Sequence, residues 1–170
     1  MQKTLLAFVD DIYEDLELWY PKLRLEEAGF AVRLAGPELR TFKGKHGYPA
    51  MTDLLISQAA SRDYCGLIIP GGFMPDKLRR DGKVLSLTRD FFQSGKLVAF
   101  ICHGGWIPIS AAILRGKRAT GSLGIKDDLE NAGAVWLDEP VVVDGNLVSS
   151  RTPKDLALFA KAMVDFLNAN

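Results

Sequence analysis

The sequence predicts an α/β fold, a doubly wound and mainly parallel sheet with helices on both faces, and three observations lead there. Strand-like and helix-like segments alternate along the whole length, the pattern of βαβ units. The strand candidates are short continuous apolar runs rather than alternating ones, as expected of strands buried on both faces. No linker, internal repeat or low-complexity segment interrupts the 170 residues, so the reading is one domain over residues 1–170.

Leu5 to Val9 is an apolar run that meets acids at once and reads as the first strand. From Asp15 to Ala28, apolar residues Leu16, Trp19, Tyr20, Leu23 and Ala28 recur at near-helical spacing, with Gly29 as the stop and Pro21 as a point of kinking. Ala31 to Ala35 is a second strand, and the glycines and prolines around Thr41 to Pro49 predict a small hairpin or irregular excursion. Leu54 to Ala60 is a short helix candidate. Gly66 to Ile69 is a buried strand closed by Pro70-Gly71-Gly72, and Val84 to Gln93 is a helix stopped by Ser94-Gly95. Leu97 to Ile101, five apolar residues in a row, is the clearest buried strand. Trp106 to Leu114 follows as a helix, with Pro108 tolerated in its first turn. A strand near Thr120 and a helix from Ile125 to Asn131 come next. Val141 to Val143 turns through Asp144-Gly145 into Leu147 to Ser149 as a hairpin. Pro153 opens the last helix, which runs to about Phe166.

Composition narrows the function. Hydrophobic residues make up 48% of the chain and charged ones 25%, the balance of a soluble globular protein. Twenty-one basic side chains face 21 acidic ones, so no cationic block offers the footprint a nucleic acid requires. Zero net charge also does little to oppose self-association. No apolar segment approaches the ~20 residues that cross a bilayer, which argues against a membrane partner. Cys65 and Cys102 lie far apart and form neither a disulfide framework nor a metal-ligand spacing, which fits a reducing cytoplasm. The opening MQKTLLAFVDD reads as a strand rather than a signal peptide.

A doubly wound sheet binds ligands outside the carboxyl ends of its strands. Three such ends carry chemistry: Tyr13-Glu14-Asp15, Pro70-Gly71-Gly72 and Cys102-His103-Gly104-Gly105. The last resembles a nucleophile elbow, with Gly104 where the sharp turn needs a small residue and Phe100 where an upstream glycine is usual. A cysteine at a helix start also feels the positive end of the dipole, which favours its thiolate. The bland alternative is a core cysteine at the end of a buried strand. The chain has two histidines, so a Cys–His pair must use His46 or His103. Adjacent side chains usually diverge, so His103 could serve through its backbone N–H as an oxyanion donor alongside Gly71 or Gly72. Its imidazole could instead swing beside the thiolate, or be oriented by a carboxylate such as Asp76. His46 is more simply a turn residue. Glu14 has two readings: a general acid/base sharing a proton with the sulfur, or a solvated acid at a helix start. Cys65 reads as core and Lys126-Asp127-Asp128 as a solvated helix face. The tryptophans read as packing residues, although Trp106 could wall a pocket.

Six ordered segments carry a family resemblance: YEDLE at Tyr13, GKHGY at Gly44, IPGG at Ile69, ICHG at Ile101, GIKDDLENAGAVW at Gly124 and VVVDGNLVSSRTPKDL at Val141. By these the chain is similar to the PfpI-type intracellular cysteine peptidases, a branch of the ThiJ/PfpI superfamily. The resemblance implies a flavodoxin-like fold, the sandwich shared with class I glutamine amidotransferases, with Cys102 as nucleophile and Glu14 as its carboxyl partner. It also implies homo-oligomers, dimers or hexamers, in which a neighbouring subunit's carboxylate orients the histidine; Asp76 stands where relatives commonly have that glutamate. The chain departs from the family at Gly105-Trp106, where CHGP is more usual, and at Phe73, where a polar residue often follows PGG. Both changes predict a tighter, more apolar pocket.

Three functions follow. The first is a cofactor-independent enzyme for small reactive carbonyls, in which the Cys102 thiolate adds to an α-oxoaldehyde such as methylglyoxal; the same chemistry on glyoxal adducts is deglycation. The second is an intracellular peptidase, with the thiolate attacking a peptide carbonyl. The third is a redox-responsive stress protein whose Cys102 cycles through sulfenic or sulfinic states. Glutamine amidotransfer is excluded, because it needs a His-x-Glu pair near the C-terminus and no histidine follows His103.

Overall fold

In a computed structural model, residues 3–170 are described, and their strands form a seven-stranded sheet. The strands are β1 (Thr4–Phe8), β2 (Ala31–Gly36), β5 (Leu54–Leu55), β6 (Gly66–Ile69), β7 (Leu97–Ile101), β10 (Val141–Asp144) and β11 (Leu147–Ser150). Their order is β10-β11-β7-β6-β1-β2-β5, and every neighbouring pair is parallel except the β10–β11 hairpin. All five residues of β7 are fully buried, which is why that segment carries no polar alternation. Helices lie on both faces. The longest are α1 (Asp15–Glu27), α3 (Gly82–Gln93) and α6 (Leu156–Ala169). Of these, α1 and α6 pack on each other, while α3 packs with the short helix α4 (Trp106–Ser110), against which α2 (Met74–Leu78) also lies.

The topology places the site. From β1 the chain moves to one side for β2 and then returns to the other side for β6. A crevice therefore opens at the carboxyl ends of β1 and β6, beside that of β7. Those ends are the three segments singled out from the sequence.

Several expectations need correction. Leu54 to Ala60 is not a helix: Leu54 and Leu55 pair with Ala35 and Gly36 as an edge strand, and a single 3₁₀ turn at Ile56–Gln58 follows. Seven residues with tertiary pairing on offer do not sustain a helix. The helix expected from Trp106 to Leu114 ends at Ser110, where Ala112 takes a positive φ of 57°. The strand near Thr120 is β8 (Arg118–Ala119), paired with β9 (Val135–Trp136) in a separate small sheet, and α5 (Lys126–Asn131) lies between them. The α2 turn has no apolar periodicity of its own and went unpredicted. Pro21 lies inside α1 without ending it; it removes the N–H that would bond the Glu17 carbonyl. The hairpin around Thr41 to Pro49 is present as β3 (Thr41–Lys43) and β4 (Pro49–Met51).

Candidate active site

Cys102 follows β7 with φ of 58°, a left-handed conformation that a side chain adopts at a cost of about 1–2 kcal/mol. The turn is tight because the next residues wind at once into a 3₁₀ turn, Cys102–Gly105, which runs on into α4. Gly104 makes this possible, since a Cβ there would drive into the Ile69 carbonyl at the end of β6. The elbow expected from the sequence is therefore formed, and it leaves the thiol half-buried. The His103 imidazole does swing back: its Nδ1 stands 3.2 Å from Cys102 Sγ. The His103 backbone N–H also points to the sulfur and lowers its proton affinity.

The carboxyl packed against this thiol is that of Glu17, one helical turn beyond Glu14. Glu17 is fully buried. Its Oε2 accepts the Gly71 N–H at 2.8 Å, and a Cβ on Gly71 would collide with that carboxyl while standing 3.0 Å from Cys102 Cβ. Gly71 is thus the spacer that lets a carboxyl and a thiol meet across β6. Glu17 Oε1 has no fully formed hydrogen bond among the described residues. A buried polar oxygen left open beside a sulfur is set up to carry a proton.

Proton affinities fit that arrangement. Burial pushes Glu17 up to about 8, with the Glu14 charge adding to the rise and the Gly71 N–H opposing it. Burial likewise pushes the Cys102 thiol up to about 12, and the Glu17 charge raises it further. The two groups titrate as a pair. With Glu17 protonated near neutral pH, the repulsion from its charge disappears and its proton can be shared with the sulfur. The dipole effect expected to favour the thiolate is outweighed by burial. His103 is lowered by burial and by the Lys45 charge, with Asp128 opposing, so its ring is a neutral base at neutral pH.

The other residues singled out from the sequence take different places. Glu14 is buried at the mouth, with Lys45 Nζ 3.8 Å from one oxygen and His46 Nε2 3.7 Å from the other. It acts on the thiol through its charge, as a weaker cause than Glu17. His46 belongs to the β3–β4 loop, which Asp15 ties down by accepting the His46 and Tyr48 N–H groups at 2.8 Å each. Glu14, Asp15 and His46 bring ligand-type atoms within 4.8 Å of one another. These loop bonds and the Lys45 charge account for that grouping without an ion. Gly72 takes φ of 80° and bridges Tyr13, with no room for a Cβ against the Ile12 carbonyl. The Gly71 N–H, expected as an oxyanion donor, is already taken by Glu17. Asp76 is not on His103 within the chain; it pairs with Arg80 at 2.5 Å on the surface of α2. Phe73 is 63% exposed, so it does not tighten the pocket.

Sequence reasoning missed Glu17 and Asp128. Glu17 lies in the first turns of α1, three residues after Glu14, which caps that helix in extended backbone, and the sequence alone does not say which of the two faces the thiol. Asp128, read as part of a solvated face, accepts Trp106 Nε1 at 2.9 Å. Two larger hollows, about 680 Å³ beside Trp19 and Tyr48 and about 430 Å³ beside Cys65, are not lined by Cys102. No helix of the described residues is long and apolar enough to cross a membrane.

Comparison with known proteins identifies the family. A family model described as the DJ-1/PfpI family matches residues 3–166. Deglycase PfpI of Pyrococcus furiosus is 44% identical over 155 residues, covering 91% of this chain and 93% of that protein. A Bacillus subtilis protein named "Putative cysteine protease YraA" is 40% identical over 168 residues, covering 98% and 99%. Among solved structures, a two-domain protein of Anabaena variabilis with DJ-1/ThiJ/PfpI-like and ferritin-like domains superposes with a TM-score of 0.96 at 39% identity. That match covers 98% of this chain and 48% of the Anabaena chain, so this chain spans about half of that protein's length.

Proposed function

The chain belongs to the DJ-1/PfpI family, and we propose that within it this protein is a cofactor-independent cysteine enzyme acting on α-oxoaldehydes such as methylglyoxal and on their adducts. The carrying observation is the thiol on a positive-φ elbow between His103 Nδ1 and the buried Glu17 carboxyl. The name of the Pyrococcus relative as a deglycase points the same way.

The geometry supports the following steps. His103 takes the thiol proton, and the sulfur adds to the aldehyde carbon, forming a C–S bond as the carbonyl π pair moves to oxygen. Protonated Glu17 gives its proton to that oxygen, which leaves a hemithioacetal and a Glu17 carboxylate. The carboxylate then removes the proton on the former aldehyde carbon while protonated His103 gives its proton to the ketone oxygen, forming an enediol. Glu17 returns the proton to the neighbouring carbon as His103 takes the hydroxyl proton from the sulfur-bearing carbon. The product is a thioester of Cys102; water cleaves it, releasing the hydroxy acid and restoring the thiol. No oxidant or reductant enters, because one carbon is oxidised as its neighbour is reduced. A carboxyl held near 8 is suited to both giving and taking a proton at neutral pH.

Peptide hydrolysis is the second reading, favoured by the Bacillus relative's name and by the Cys–His distance of 3.2 Å. It ranks lower because an acyl-transfer site needs free oxyanion donors, and the Gly71 N–H is committed to Glu17. The test is lactate formation from methylglyoxal by wild type, Cys102→Ser, Glu17→Gln and Glu14→Gln, with peptide cleavage followed in parallel. Loss of lactate in the first two variants, and a smaller loss in Glu14→Gln, is the expected result. Inert methylglyoxal with Cys102-dependent peptide cleavage would overturn it in favour of the peptidase.

A further inference from the structure

His103 adjoins Cys102 in sequence, and neighbouring side chains ordinarily diverge. Holding its Nδ1 3.2 Å from the sulfur therefore needs a wall behind the ring. Among the described residues of the chain no side chain hydrogen-bonds His103 Nε2, while aromatic packing bears directly on the ring's orientation. Trp106 supplies one side of that packing. Its ring lies edge-on to the imidazole, 5.0 Å between centroids at 63°, a favourable aromatic geometry. Opposite stands the Gly124 backbone, where a Cβ would come 3.6 Å from Nε2.

Trp106 is itself fixed on two sides. Its Nε1 donates to Asp128 Oδ2 at 2.9 Å, and the Arg79 guanidinium lies 5.6 Å over its ring. Arg79 is in turn tied to Ser110 Oγ at 2.8 Å. The indole is anchored by α5, α2 and α4 together, so its two side-chain torsions are not free to release the imidazole. From this we infer that Trp106, clamped by Asp128 and Arg79, is the positioning residue that holds the His103 imidazole on the Cys102 thiol within a single chain. The inference rests on Cys102 being the nucleophile. Within the chain Asp76 pairs with Arg80 rather than with His103, and the role expected of it across a subunit interface is separate from this one. The charged and titratable groups facing the imidazole are Cys102 and Glu17 on one side, Lys45 from the β3–β4 loop, Asp128 from α5, and Arg79 behind the indole.

The test reads Cys102 directly. In full-length protein carrying Cys65→Ser, the rate of Cys102 alkylation by iodoacetamide is followed against pH, beside kcat and KM for methylglyoxal. Trp106→Leu is expected to slow alkylation at pH 7 about tenfold and to lower kcat similarly, with KM within about twofold. Trp106→Phe, which keeps an aromatic wall, should recover most of the alkylation rate. Asp128→Asn should move the imidazole limb of the profile to lower pH, because the charge that favours the protonated ring is gone. A wild-type alkylation profile in Trp106→Leu would overturn the inference. If methylglyoxal is inert with every protein while the alkylation pattern holds, the proposed reaction fails and the positioning role stands.

Discussion

The two ends of the sheet each carry a cysteine, and the contrast between them shows what makes a thiol a candidate nucleophile. Cys102 stands at the carboxyl end of β7 and Cys65 just before the amino end of β6. Both are half-buried, and burial is the leading cause that raises both thiols. Burial therefore does not separate them. At Cys65 the sulfur donates to the Thr4 carbonyl at 3.3 Å, beside a hollow lined by Phe30, Tyr64 and Phe166. The nearby Lys96 ammonium is occupied by the carbonyls of Ser61 and Tyr64, 2.7 Å from each. That thiol has nowhere to send its proton except back to a carbonyl. At Cys102 a neutral imidazole and a buried carboxyl stand ready to exchange one. Reactivity follows the proton's destinations rather than the depth of the sulfur.

The comparison breaks first on the sulfurs. Cys102→Ser should lower methylglyoxal turnover by roughly 10³-fold or more, while Cys65→Ser leaves it within about twofold. Equal losses in steady-state assays of the two would remove the distinction. Next, Glu17→Gln should lower kcat by about 10²-fold, whereas Glu14→Gln costs about tenfold or less. The same variant sharpens the pH argument. A carboxyl whose folded value is raised from 4.5 to about 8 gives stability that is complete below pH 4.5 and is lost as pH rises through 8. Wild type should therefore lose on the order of 4 kcal/mol relative to Glu17→Gln between pH 5 and pH 9, read by urea unfolding at each pH. Parallel stability curves for the two proteins would contradict it.

Gly104→Ala tests the elbow itself. The new Cβ meets the Ile69 carbonyl, so unfolding free energy should fall by about 2–4 kcal/mol, and turnover should fall with it. The smallest effect belongs to the other end of the sheet. Lys96→Met removes a charge that lowers Cys65, so maleimide labelling of Cys65 should slow about two- to threefold with turnover unchanged. A change in Cys102 labelling in that variant would mean the two ends are not independent.

The amino-acid sequence by itself determined the sheet and the elbow on which Cys102 stands. Continuous runs at Leu5, Gly66 and Leu97, with no polar alternation, specify strands buried on both faces. A cysteine followed by His-Gly-Gly at the end of such a run specifies an exposed turn, because only small residues pass that close to β6. Tertiary structure decided which carboxyl serves the thiol. Glu14 and Glu17 are three residues apart at the start of α1, and local sequence does not separate them. Packing of α1 against Gly71 turned Glu17 inward to the sulfur and left Glu14 to the Lys45 and His46 side chains. Tertiary structure also made Leu54-Leu55 an edge strand by offering β2 as a partner and drew Asp128 onto Trp106. Strand runs and tight turns are set by neighbours in the chain. The choice among equivalent acids is set by contacts between α1 and β6, some fifty residues apart, which no local pattern records.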